Sequence, residues 1–174
     1  MLKKSPFNST GQWDTVSFFR SLVARNKLSK SLSFGFGSCA GLQGFYDALS
    51  AASSSPNFIS IDDSSDGMII RRSTWRVQYV KTVYFSMRHK VGDLNARNFC
   101  LSQMREIFRQ FMSVLVKERV RLDEDDINID PNINFSEIDR DFCTGAACAF
   151  FQISVDIPMD VCFNPDEWSA DESE

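Results

Sequence analysis

Histidine is nearly absent from this sequence: His89 is the only one in 174 residues. Its nearest hydroxyl in the chain is Ser86, three positions away in a strand-like stretch, so the two side chains point to opposite faces. No Ser/His/Asp set can be assembled around that pair. Glu106 and Glu118 lie on a helical stretch with no second carboxylate to work against. Acid–base chemistry therefore has no visible home, and an enzyme is not expected. The five cysteines, Cys39, Cys100, Cys143, Cys148 and Cys162, are odd in number and include no C-x-x-C. A disulfide framework or zinc site is unsupported, and free thiols in a reducing cell interior are expected. No run of eighteen apolar residues occurs, so no membrane span is expected. The opening Met1-Leu-Lys-Lys-Ser-Pro lacks the apolar core of a secretory signal.

Ligand-binding motifs are also missing. Gly35, Gly37 and Gly41 are spaced G-x-G-x-x-x-G, follow no clear strand and lead to no Gly-Lys-Ser/Thr, so the Ser- and Gly-rich residues 29–45 read as a loop rather than a phosphate cradle. Asp62, Asp63 and Asp66 resemble a calcium loop in spacing, but position twelve is Ser73 rather than Glu; the stretch reads as a polar turn. Asp123, Glu124, Asp125 and Asp126 could attract a divalent cation, yet nothing nearby completes a shell, and a solvated loop is the simpler reading. No metal and no cofactor are expected.

What the chain does have is one strong strand–turn–helix stretch from Trp75 to Leu122. Trp75, Val77, Tyr79, Val83, Phe85 and Met87 alternate with Arg76, Gln78, Thr82, Ser86 and Arg88, with Lys81 the one polar interruption of the apolar face. This period predicts a half-buried strand. Fourteen residues would span about 45 Å, long enough to predict a projecting or bent distal end. After a turn at Gly92-Asp93, with Asp93 or Asn95 as cap, Leu101, Met104, Phe108, Phe111 and Leu115 recur at helical spacing. Cys100, Ile107, Met112 and Val116 widen the stripe. The seam lasts about two heptads, which suits a core helix better than a coiled coil.

Before this unit, Val16, Phe19, Leu22 and Val23 predict a helix capped by Asp14. Leu42, Phe45, Leu49 and Ala52 predict a second. Phe58–Ile61 and Met68–Ile70 read as short strands. Beyond it, Ile127, Ile129, Ile133 and Phe135 suggest a strand interrupted at Pro131, and Ala147–Ile157 alternates clearly as another. This order predicts an α+β fold: a mainly antiparallel sheet with one long amphipathic helix packed across a face, plus short N-terminal helices. The expected division is an N-terminal arm with helices at 1–55, a core domain at 56–160 and an acidic tail at 161–174.

Charge is segregated along the chain. Residues 71–122 carry twelve Lys/Arg and three acids, whereas residues 123–174 carry fifteen acids and one Arg. Blocks of opposite sign attract, within a chain or between copies; an acidic solvated tail is the simpler reading of residues 166–174.

The strand entry Pro56-Asn-Phe-Ile-Ser-Ile61, the alternating Tyr79–Met87, the Gly92-Asp93 turn, the amphipathic helix, the acidic insert and the closing strand Ala147–Ile157 together resemble the tail terminator or tail-completion proteins of tailed bacteriophages. The resemblance lies in pattern and order over residues 56–160. It implies a structural virion component, assembled in the host cytoplasm, forming a homo-oligomeric ring at the head–tail junction or tail end. Its partners would be other neck and tail proteins, with DNA passing through unbound and no membrane contact. A subunit interface is then expected at Asp62, Asp63, Asp66, Ile69, Ile70, Arg71, Arg72, Trp75 and Trp168, with plain core the alternative for the two isoleucines. Asp123, Glu124, Asp125 and Asp126 would line an acidic lumen. The competing reading is a nucleic-acid-binding module, or a generic adaptor, using basic segment 71–109. There Arg71, Arg72, Arg76, Arg88, Lys90, Arg97, Arg105 and Arg109 interleave with Trp75, Tyr79 and Tyr84, although a pI of about 5.1 argues against it.

Overall fold

The 14-residue strand β4 (Trp75–Arg88) is the spine of the molecule. The structure is a computed structural model, and it describes residues 13–51, 57–63, 66–138, 145–164 and 166. β7 (Ala146–Pro158) runs antiparallel to β4 along almost its whole length, from Arg76 opposite Pro158 to Arg88 opposite Ala146. On the other side of β4 lie two shorter strands end to end. β2 (Asn57–Asp62) pairs with its second half and β3 (Asp66–Arg71) with its first half. The long strand is thus braced on both sides and no end of it projects. The break between β2 and β3 falls opposite Lys81, whose ammonium donates to the Asp63 carbonyl at 3.1 Å. That bond explains the one polar residue on an apolar face, because a bulge leaves backbone carbonyls to be satisfied.

α4 (Leu94–Glu124) is 31 residues long, with Asp93 as its N-cap accepting from the Ala96 N–H. At about 1.5 Å per residue it spans roughly 46 Å, the length of β4. Leu101, Met104, Ile107, Phe111 and Leu115 are buried in one cluster with Val83, Phe85, Ala149, Phe151 and Ile153 of the sheet. α1 (Thr15–Arg25), capped by Asp14, contributes Phe19, Leu22 and Val23 to the same cluster. Phe151 is central: its ring lies 5.7 Å from Phe19, 5.7 Å from Phe85 and 5.1 Å from Phe108. Phe108 and Met112 are partly buried against this core, whereas Val116, expected to widen the stripe, is 69% exposed.

Two expectations are corrected. Residues 29–45 are not a loop. They hold α2 (Lys27–Ser31), β1 (Phe34–Cys39) and the first turn of α3 (Gly41–Ala51). β1 pairs parallel with β2, so the sheet is mixed: five of its six strand pairings are antiparallel and one is parallel. The glycines serve the packing of a strand here. A Cβ at Gly37 would stand 2.7 Å from the Phe58 ring, so only a bare backbone lets that ring lie across β1. The β1–β2 pairing also makes Phe34–Cys39 part of the same sheet as β4 and β7.

The polar face of β4 is not a solvent face. α3 covers its second half, and Phe45 and Leu49 form a second buried cluster with Tyr84, Ala146 and Cys148. Phe45 stacks on Tyr84 at 4.7 Å and 13°. Thr82 and Ser86 are buried with them. The far edge of the sheet is again broken: β5 (Asn128–Ile129) and β6 (Phe135–Glu137) pair with separate parts of β7. No helix of the described residues is long and apolar enough to cross a membrane.

Phe151→Ala should lower the unfolding free energy by about 3–5 kcal/mol, as large-to-small changes in a filled core do. Val116→Ala should change it by less than about 0.5 kcal/mol. Urea titration followed by tryptophan fluorescence measures both; equal effects would contradict this orientation of α4.

Candidate subunit interface

The start of β4 is held by a buried guanidinium. Arg76 Nε donates to Asp156 Oδ1 at 2.6 Å, Nη1 to Asp126 Oδ1 at 2.9 Å, and Nη2 to the carbonyls of Asp126 at 2.6 Å and Asp156 at 3.1 Å. Arg76 and Asp156 are 5% and 3% exposed. Burial opposes the guanidinium charge, but the Asp156 and Asp126 carboxylates outweigh it and hold Arg76 above its ordinary range. The second oxygen of Asp156 is buried without a hydrogen bond and faces Arg72 Nη1 at 3.3 Å. Beside it lies a cleft of about 250 Å³ lined by Arg72, Gln78, Arg119, Asn128, Ser154 and Asp156, among others.

The end of α4 explains how Asp126 arrives there. Ile127 N–H donates to the Leu122 carbonyl at 2.8 Å and Asp126 N–H to the Asp123 carbonyl at 3.1 Å. With Asp126 at φ +57°, this is a Schellman stop. Leu122 and Ile127 are both buried beneath it. Asp tolerates the left-handed conformation better than most residues, which fits an acidic run where a glycine is usual. The four acids therefore do not act as one group. Asp126 turns in to Arg76, Asp123 lies 4.0 Å from Arg119, and Glu124 and Asp125 are exposed.

Five of the nine residues expected at an interface, Ile69, Ile70, Arg71, Arg72 and Trp75, lie on the β3–β4 hairpin. Ile69 is 54% exposed and Trp75 42%; Ile70 is partly buried. The Arg71 guanidinium lies over the Trp75 ring at 5.4 Å, and the Arg72 side chain is 61% exposed. Sequence reading missed Met68, 57% exposed on β3, and Val80, 38% exposed on β4. Met68 sits in the short strand expected at Met68–Ile70 and Val80 on the alternating β4; their exposure follows from sheet order. Among the described residues β3 pairs with β4 alone, so its outer edge is open. Asp62 ends β2, Asp63 follows it and Asp66 begins β3, at the break rather than on the hairpin. Trp168 lies outside the described residues.

Most cations of the basic segment serve the fold. Arg88 donates to the Leu49 carbonyl, Arg97 to that of Ile138, and Arg105 pairs with Glu137. Arg109 and Gln110 hydrogen-bond Glu106 and hold its carboxyl down at about 2. Tyr84, one of the three candidate stacking rings, is buried under Phe45. His89 sits past the end of β4 with Nδ1 3.0 Å from the Lys90 carbonyl oxygen. The thiols of Cys39, Cys100 and Cys148 are buried and that of Cys162 is exposed; all four are free, and Cys143 lies outside the described residues. Burial raises the Cys39 and Cys100 thiols. Among the described residues no three His, Cys, Asp or Glu side chains are grouped to hold a metal ion.

Compared with known proteins, the chain matches no family model and no curated protein sequence.

Removing one member of a buried pair strands the other. Arg76→Met should cost about 3–5 kcal/mol, and Arg76→Met with Asp156→Leu should recover most of that loss. Urea denaturation of the two variants checks this; a double variant as weak as the single one would mean that the network does more than neutralise a charge.

Proposed function

We propose that this chain is a structural subunit of a tailed-phage virion that closes into a ring at the head–tail junction or the tail end, in the manner of tail terminator and tail-completion proteins. The observation that carries the reading is the open β3 edge. It carries Met68 and Ile69 half in water, with Trp75 of β4 and the exposed cations Arg71 and Arg72 close by. An unpaired strand edge with apolar side chains is a template for another chain. A ring needs such a surface to meet a different surface on the next copy. The acid-rich final third supplies a counterpart of opposite charge. Glu124 and Asp125, exposed at the end of α4, are the members of the acidic run best placed to face passing DNA, whose phosphates they would repel. Neighbouring neck and tail proteins would be the further partners.

The nucleic-acid reading loses ground because Arg88, Arg97 and Arg105 have partners within the fold and one of its rings, Tyr84, is buried.

Light scattering on a size-exclusion column tests the proposal. The full chain should form a closed oligomer, visible as rings by negative-stain microscopy. Ile69→Lys should weaken assembly at least about tenfold, the effect of burying a charge worth 1.4 kcal/mol or more. Neutralising Glu124 and Asp125 should leave assembly intact while hindering DNA passage in a reconstituted particle. A chain that stays monomeric at every concentration, alone and with a tail tube, would overturn the reading.

A further inference from the structure

Building on the ring reading, we propose that the open β3 edge is filled by the stretch after β7 of the next copy, residues 159–174, whose first part adds to the sheet as a further strand. Three observations converge on it.

The first is a lane with half its occupant. β2 and β3 lie end to end along β4, and β1 covers the outer edge of β2 from Asn57 to Asp62. The cover stops where β3 begins. A segment of about six residues, roughly 20 Å when extended, would continue the lane of β1 and satisfy the exposed N–H and C=O groups of β3.

The second is a strand pattern outside any strand. Met159, Val161 and Phe163 alternate with Asp160, Cys162 and Asn164, the period of a strand with one apolar face. Yet Met159–Asn164 belongs to no strand, and the three apolar side chains are 37%, 40% and 75% exposed. Pro165 follows, as it does where a strand must end.

The third is charge. Residues 159–174 hold six acids, Asp160, Asp166, Glu167, Asp171, Glu172 and Glu174, and no Lys or Arg. The edge they would meet ends in Arg71, and Arg72, which follows it, is 61% exposed although paired with Asp156.

Geometry favours a neighbour over the same chain. The Met159 N–H donates to the Trp75 carbonyl at 3.0 Å, which starts the stretch on the β7 side of β4. β4 and β3 both stand between that point and the open edge. Donation to the next copy makes a head-to-tail contact, the kind that closes a ring.

Cysteine cross-linking tests the proposal on the full chain, because Cys162 already supplies an exposed thiol. Met68→Cys, Ile69→Cys and Arg71→Cys are each made with Cys143→Ser, so that one partner falls within the roughly 7 Å between Cα atoms that a disulfide tolerates. Mild oxidation should give a ladder of dimers, trimers and larger species, with peptide mass spectrometry finding the link between Cys162 and the introduced cysteine of another chain. Adding Cys162→Ser should abolish the ladder. Dimers that survive Cys162→Ser would show β3 meeting β3 and overturn the proposal. A link within one chain, or an oligomer with no link at any of the three positions, would also overturn it. In both cases the ring reading stands; a wild-type chain that light scattering finds monomeric defeats the ring reading itself.

Discussion

The ladder between β4 and β7 runs unbroken from Arg76 opposite Pro158 to Arg88 opposite Ala146. Among the described residues β2, β3, β5 and β6 each pair with one of its two strands. Its length sets the length of α4, because a helix laid on a sheet buries its stripe only where strands lie beneath it. Its register decides which side chains reach which face. Val83, Phe85, Phe151 and Ile153 meet α4, while Tyr84 and Cys148 meet α3. A one-residue slip of β4 would turn its side chains to the opposite faces and put Arg76 on the α4 face.

That same register gathers charge at one end of the ladder. Arg76 reaches Asp156 on β7 and Asp126 beyond α4, so a single guanidinium ties the start of β4, the end of β7 and the stop of α4. The segregation of charge along the chain is thus partly undone by folding. Arg76, Arg105 and Arg119 of the basic segment meet Asp156, Glu137 and Asp123 of the acidic one. A fold that consumes its opposite charges internally leaves fewer for partners. On the β3–β4 hairpin Arg71 lies over the Trp75 ring, and Arg72 is 61% exposed although paired with Asp156.

Edges are what this sheet leaves open. Both long inner strands are flanked by broken ones, β2 with β3 on one side and β5 with β6 on the other. Short edge strands limit indiscriminate pairing. β3 carries Met68 and Ile69 exposed and ends in Arg71; in the proposed ring its edge would take the stretch after β7 of the next copy.

Residue order alone was enough for the elements whose signal is local. The helical stripe from Leu101 to Leu115, the alternation of β4 and of β7, and the Asp14 and Asp93 caps each depend on spacing within a few residues, and each stands in the fold. Ile69, Ile70, Arg71, Arg72 and Trp75 stand out in the sequence as one stretch, but Trp75 reads there as part of an apolar strand face and only the fold shows it half in water. Other features depended on residues far apart in the chain. β1 is a strand because β2 lies beside it and Gly37 makes room for Phe58, while its own composition reads as a loop. The polar face of β4 is buried because α3 folds over it. Arg76 and Asp156, eighty positions apart, are partners because the β4–β7 register sets them side by side. Local periodicity records which face of an element is apolar; which neighbour covers that face, and which edge stays open, follows only once the strands have been ordered in space.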